Sequence, residues 1–184
     1  MLMIPIDTGN KAIKTENFEF HSGITALESM PGENEEALMF QDKYYRLSHE
    51  RNVYLPDKTL DDRYYLLTLF AIAKELEKLR QSRPFIPGEL ISMDLVVGLP
   101  PLYYRSQYKK FRDYFYREGR LVHCAYMGRS YRLTFSNVSV KIRNRKGYRN
   151  MRNVLFALYI CITGIYRWDA FGITIILKKN TYWM

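Results

Sequence analysis

Among the side chains able to do chemistry, one short segment stands apart: Ile4-Pro5-Ile6-Asp7-Thr8-Gly9-Asn10, with Lys14 four residues further on. A turn rich in Gly and Asn can aim backbone N–H groups at an anion. A lysine can neutralise phosphate charge, and a carboxylate beside them can hold Mg²⁺ through waters. A nucleoside triphosphate needs that whole set. The same residues also make an ordinary hairpin turn, because Asp, Gly and Asn are turn formers, so the segment marks a place for such chemistry and by itself no more.

The other reactive side chains form no comparable group. His21, His49 and His123 are too scattered for a metal-ligand pattern. His123 and Cys124 are adjacent on an expected strand, which points them to opposite faces and argues against a Cys/His dyad. Asp61-Asp62 and Glu35-Glu36 read as cap and loop charges rather than an acid/base pair. Cys124 and Cys161 belong to no C-x-x-C motif, so neither a disulfide framework nor a Cys-rich zinc site is suggested. Reduced thiols, and a first segment without a basic region or a long apolar stretch, fit a cytoplasmic protein.

The elements that must position the Asp7 segment can be read from the spacing of apolar residues. With 184 residues, 47% hydrophobic and 16 Tyr, the chain has enough apolar mass for one core, as one domain or two small subdomains. Residues 1–6 read as a buried strand that turns at residues 7–10 and re-enters as a second strand at residues 11–14. Phe18-Glu19-Phe20 alternates like another short strand, residues 27–36 read as a loop, and Tyr44-Tyr45-Arg46-Leu47 follows a turn at residues 41–43. Thr59 and Asp62 resemble a capping box before a helix over residues 60–80, where Leu66, Phe70, Ala73 and Leu76 share a face widened by Leu67, Leu69 and Ile72.

Residues 94–99 then read as a core strand closed by Pro100-Pro101. A second helix carries Tyr104, Tyr108, Phe111 and Phe115 at helical spacing, a stripe expected to be core, and ends at Glu118-Gly119. Residues 121–126 and 131–135 flank Met127-Gly128-Arg129-Ser130 as a hairpin, and Val138 and Val140 suggest the start of one more strand. Strands and hairpins mixed with two helices indicate an α/β or α+β domain.

In order, these segments resemble the N-terminal domain of bacterial actin-like ATPases of the plasmid-segregation (ParM/StbA) type, over about residues 4–140. The resemblance is carried by residues 6–10 with Lys14, Ser22-Gly23, residues 43–47, Asp57-Lys58-Thr59 with residues 66–76, and Val96-Val97-Gly98-Leu99-Pro100-Pro101. It implies an actin-like (ribonuclease-H-like) fold, a mixed sheet with two main helices. It also implies ATP with Mg²⁺ as cofactor, self-association into filaments, and a DNA-bound adaptor as partner. Asp7 would be catalytic, near the metal and the attacking water. Thr8, Gly9 and Asn10 would form the first phosphate loop, and Lys14 would reach the phosphates.

The chain departs from the family beyond Val140. There the family has a second phosphate loop of the form D-x-G-x-x-T-x-D, preceded by a Gln or Glu that orients water. Here residues 141–148 read KIRNRKGY, and no Gln or Glu occurs after residue 118. A single loop cannot clamp a triphosphate from both sides, so no ATPase activity is expected of the chain alone.

The charge also changes character at this point. Residues 1–92 hold 11 basic and 15 acidic side chains, whereas residues 139–184 hold 9 and 1. Three readings of this unassigned tail stay open. Arg143, Arg145, Lys146, Arg149 and Arg152, with Tyr148 among them, could bind nucleic acid by phosphate neutralisation and stacking. The apolar run over residues 154–166 could lie against a membrane surface, but it is shorter than the roughly 18 to 20 residues a span requires, so no integral membrane segment is expected. The preferred reading is a truncated, rearranged or out-of-frame sequence from about residue 141, with Phe156, Trp168, Phe171 and Trp183 exposed.

Overall fold

The fold is known from a computed structural model that describes residues 2–50, 53, 55–82, 84–86, 88–143, 166–169 and 172–175. In chain order the elements are β1 (Leu2–Thr8), β2 (Ala12–Lys14), β3 (Glu19–His21), β4 (Gly23–Leu27), β5 (Leu38–Phe40), β6 (Lys43–Ser48), α1 (Arg63–Arg80), β7 (Leu90–Leu99), α2 (Pro101–Tyr116), β8 (Val122–Tyr126) and β9 (Arg129–Ile142). These nine strands join one mixed sheet in the order β3-β2-β1-β7-β9-β8-β5-β6-β4.

The two parallel pairs, β1 with β7 and β7 with β9, explain the two helices. Parallel neighbours need a long crossover, and α1 and α2 lie within the two connections. The remaining ladders are antiparallel and need only turns. The subset β3-β2-β1-β7-β9, with its helical crossovers, is the ribonuclease-H-like pattern expected from the sequence. It brings the C-terminal ends of β1, β7 and β9 side by side.

The core lies between the sheet and the helices. Ile4, Ile6, Met93, Leu95, Val97 and Leu133 supply the sheet side, and the predicted α1 stripe of Leu66, Phe70, Ala73 and Leu76 is fully buried. Leu67, Leu69 and Ile72 are buried too, as the widened face requires. In α2, Phe111 and Phe115 enter the core and Tyr104 packs against it partly buried, while Tyr108 stays 49% exposed. Tyr108 instead stacks on Tyr104, with centroids 5.7 Å apart.

Three details differ from the sequence expectation. The helix starts at Arg63, and the capping box does not form: Thr59 N–H and Oγ1 both donate to Asp57 Oδ1, at 2.9 and 2.7 Å. Arg63 N–H donates to Asp61 Oδ1 at 3.0 Å, and another donor of the first turn is served from elsewhere in the fold. Tyr65 N–H donates to the Tyr114 hydroxyl at 2.7 Å, and that hydroxyl donates to the Asp61 carbonyl at 2.8 Å. The Asp61 side chain and a tyrosine of α2 therefore do the work expected of Thr59. Val138 and Val140 begin no new strand but continue β9 past an irregularity where Phe135 pairs with Met93 and Asn137 with Asp94. β4 and β5 were not foreseen. They flank the loop at residues 28–37, and β5 turns into β6 through Gln41 and Asp42, both at positive φ.

By compactness the chain divides into Met1–Asn144 and Arg145–Met184. Within the second unit, β10 (Tyr166–Asp169) pairs antiparallel with β11 (Gly172–Ile175). The expectations for Arg145, Lys146, Arg149 and Arg152, and for the exposure of Phe156, Trp168, Phe171 and Trp183, fall on side chains outside the described residues. Among the described residues no helix is long and apolar enough to cross a membrane.

The tyrosine cap is testable. Tyr114→Phe keeps the ring and removes the hydroxyl, leaving the Tyr65 N–H and Asp61 carbonyl without that partner, at a cost of about 1–2 kcal/mol. Urea unfolding should show the midpoint falling with an unchanged slope. A shift below about 0.3 kcal/mol would mean that water replaces the hydroxyl at no cost.

Candidate functional site

Asp7 and Thr8 end β1, and Gly9, Asn10 and Lys11 turn the chain into β2. The turn is tight. Gly9 N–H donates to the Asp7 carbonyl at 2.9 Å, and a Cβ at Gly9 would stand 2.4 Å from the Ala12 carbonyl oxygen. No side chain fits there without moving backbone, which is the physical reason for glycine at this point.

Neighbours hold the turn from several directions. Thr8 Oγ1 donates to the Gly98 carbonyl on β7 at 3.3 Å. The buried Ser22 hydroxyl donates to the Asn10 carbonyl, and the Tyr64 hydroxyl donates to Asn10 Oδ1 at 2.8 Å. Lys58, on the segment leading into α1, donates from Nζ to the Thr8 carbonyl and lies 4.6 Å over the Tyr64 ring. The turn is thus preset by groups from β4's approach, β7 and the start of α1.

The structure brings Asp7, Thr8, Gly9, Asn10 and Lys14 to one end of the sheet, with Lys14 directly opposite Asp7 in the β1–β2 ladder. The Lys14 ammonium is nevertheless engaged by Glu19, at 2.8 Å. Two cations that the spacing did not single out for this loop stand there as well, Lys58 and Arg143. Arg143 follows β9, and its N–H donates to the Leu99 carbonyl at 2.7 Å. Its Nε lies 3.2 Å from Asp7 Oδ1, an ion pair without hydrogen-bond geometry, so that among the described residues this oxygen has no hydrogen-bond donor. The Asp7 side chain is 5% exposed and that of Arg143 33%.

Burial decides the electrostatics here. It raises the Asp7 carboxyl above its ordinary range, against the opposing pull of Arg143, then Lys58, then Lys14. Burial also drives Lys58 down to about 7, helped by repulsion from Arg143 and opposed by Asp7. Asp7 is the one carboxylate in the turn, and among the described residues no three His, Cys, Asp or Glu side chains form a metal cluster. A hydrated Mg²⁺ addressed to Asp7 would share that carboxylate with the Arg143 guanidinium, whose Nε stands 3.2 Å from Oδ1 and whose charge repels it. With Arg143 in place, the residues present do not fit a cation there.

Nothing in local spacing marked Lys58, which is 50 residues from the carbonyl it serves. Only the segment Asp57-Lys58-Thr59 ahead of a helix could have directed attention to it. Arg143 was noticed, but as part of a basic patch. Its partners Arg145, Lys146, Arg149 and Arg152 in that patch lie outside the described residues.

The depressed Lys58 has a signature in stability. Between about pH 7 and its ordinary value near 10.5 the unfolded chain holds a proton on Lys58 that the folded chain lacks, so stability rises as pH rises through 7. Above about pH 9 the buried Cys124 thiol, held up to about 12, cancels the rise, and above about pH 10 the buried Tyr65 reverses it. Unfolding free energies measured from pH 7 to 9 should rise for the wild-type chain and flatten for Lys58→Met. Parallel profiles for the two would show that Lys58 stays charged in the fold.

No protein-family model matches the sequence, and the chain is similar to none of the curated proteins. Solved structures do match. An archaeal actin homologue superposes with a TM-score of 0.58 at 14% identity, covering 90% of this chain and 50% of that one. A 15-stranded ParM filament from Clostridium botulinum gives 0.58 at 16%, covering 86% and 53%. An AlfA filament bound to AMPPNP gives 0.55 at 17%, covering 78% and 55%. This chain therefore spans about half the length of the solved chains it matches, and its fold is actin-like.

Proposed function

We propose that the chain is the N-terminal part of an actin-like, ATP-binding filament protein that segregates plasmid or similar DNA. One observation carries the reading: the preset turn Asp7-Thr8-Gly9-Asn10 sits at the C-terminal end of a central strand, beside β7, where open α/β sheets take their ligands. The AMPPNP-bound AlfA filament among the similar structures supports a nucleotide as the ligand. Thr8, Gly9 and Asn10 form the phosphate loop, and Lys14 and the Asp7 carboxylate flank it. Self-association into filaments, a DNA-bound adaptor and a cytoplasmic setting belong to the same proposal.

The chain alone is proposed to bind ATP weakly and to turn none over. Phosphoryl transfer rests on positioning and charge stabilisation from both sides of the phosphate, and the sequence contains one phosphate loop and no D-x-G-x-x-T-x-D segment. Each missing charge-assisted contact removes about 1.5 to 3 kcal/mol. The rival reading, nucleic-acid binding through Arg143, Arg145, Lys146, Arg149 and Arg152, gains no support from Arg143, whose guanidinium faces Asp7.

A filter-binding assay with labelled ATP tests this reading. Saturable binding that weakens at least about tenfold in Gly9→Val, with no phosphate released by either protein, is the expected result, because the added side chain must displace the loop backbone. A melting curve checks that the variant folds. Equal ATP binding by both proteins, or salt-sensitive DNA binding indifferent to ATP, would refute it.

A further inference from the structure

The three cations around Asp7 do not have equal standing. Lys14 is neutralised by Glu19, and Lys58 is buried and spends a donor on the Thr8 carbonyl. Arg143 alone combines a permanent charge with access to solvent. Its Nε faces Asp7, and among the described residues its Nη1 and Nη2 donate to no acceptor. Nη2 also lies 3.3 Å from where a Cβ on Gly9 would be, which places the open end of the guanidinium against the turn. A guanidinium in this position presents a planar pair of donors shaped for phosphate oxygens.

We infer that Arg143 is the resident counter-cation of the Asp7 turn, in the place a hydrated metal would take, and that the site therefore accepts the phosphate tail of a nucleotide as a metal-free polyanion. The inference rests on the nucleotide reading above and specifies the form of the ligand. The Asp7 carboxylate anchors Nε, and Nη1 and Nη2 turn outward to the phosphate. Lys58 behind the Thr8 carbonyl is buried and, pushed down to about 7, adds positive potential only in its protonated form. A polyanion is met by the outward guanidinium of Arg143. A phosphate tail already neutralised by a divalent cation gains less from it, and its cation meets Arg143 at the one carboxylate available.

Isothermal titration of the full chain with ATP, once in EDTA and once with excess Mg²⁺, separates the alternatives. The expected result is binding in EDTA about tenfold or more tighter than with Mg²⁺, with the order reversed in Arg143→Met, where Asp7 is released to a cation. The wild-type comparison stands even where the variant does not fold. Binding that requires Mg²⁺ in the wild-type chain would overturn the inference and leave the nucleotide reading intact. Metal-free binding that Arg143→Met leaves unchanged would also overturn it, by assigning the affinity to other basic residues. No ATP binding in either buffer, by either protein, would remove the nucleotide reading and this inference with it.

Discussion

A carboxylate as deeply buried as that of Asp7 persists in a fold only when something answers its charge, and the arrangement of this molecule follows from how that is done. The answer comes from three directions. Arg143 arrives from the end of β9, Lys58 from the approach to α1, and Lys14 across the β1–β2 ladder. None is a sequence neighbour of Asp7. Their convergence requires β1, β7 and β9 to lie side by side and in parallel, with their ends at one level, which only the crossovers through α1 and α2 can provide. The mutual repulsion of Lys58 and Arg143 is part of the arrangement, and it helps burial push Lys58 towards its neutral form.

The scaffold separates stability from site. The apolar face of α1, with Phe111 and Phe115 of α2, closes the core, and Arg117 lies 3.5 Å over the Tyr65 ring while its Nη2 bonds Asp62. These contacts fix where α1 begins. Because Lys58 and Tyr64 flank that beginning, fixing the helix also fixes the two groups that hold Thr8 and Asn10. The turn at residues 7–10 therefore inherits its shape from the helix start, and the helix start inherits its own from Tyr114 of α2.

What could be read from the sequence follows from the range of each interaction. The α1 stripe, the β8–β9 hairpin around Gly128, and the turn at residues 7–10 are local patterns, and they occur where periodicity and turn chemistry put them. β4 and β5 are short, β4 is partly exposed, and their pairing is decided by β6 and β8 rather than by their own residues. The capping box at Thr59 was a sound local signal that a stronger nearby partner, Asp57, and a distant one, Tyr114, displaced. Likewise Lys14 has the spacing of a phosphate lysine, but Glu19 on the next strand holds it, whereas Lys58 and Arg143 reach the site through tertiary structure alone.

On the proposed reading, an actin-like fold that presets one turn at the end of β1, with a cation already against its carboxylate, meets a phosphate there. Amide chemical-shift mapping of the ¹⁵N-labelled chain during an ATP titration tests that claim most directly. The account predicts that the amides of Thr8, Gly9, Asn10 and Arg143 shift together and saturate with one affinity. Shifts confined to residues 144–184, with Gly9 and Asn10 unmoved, would contradict it.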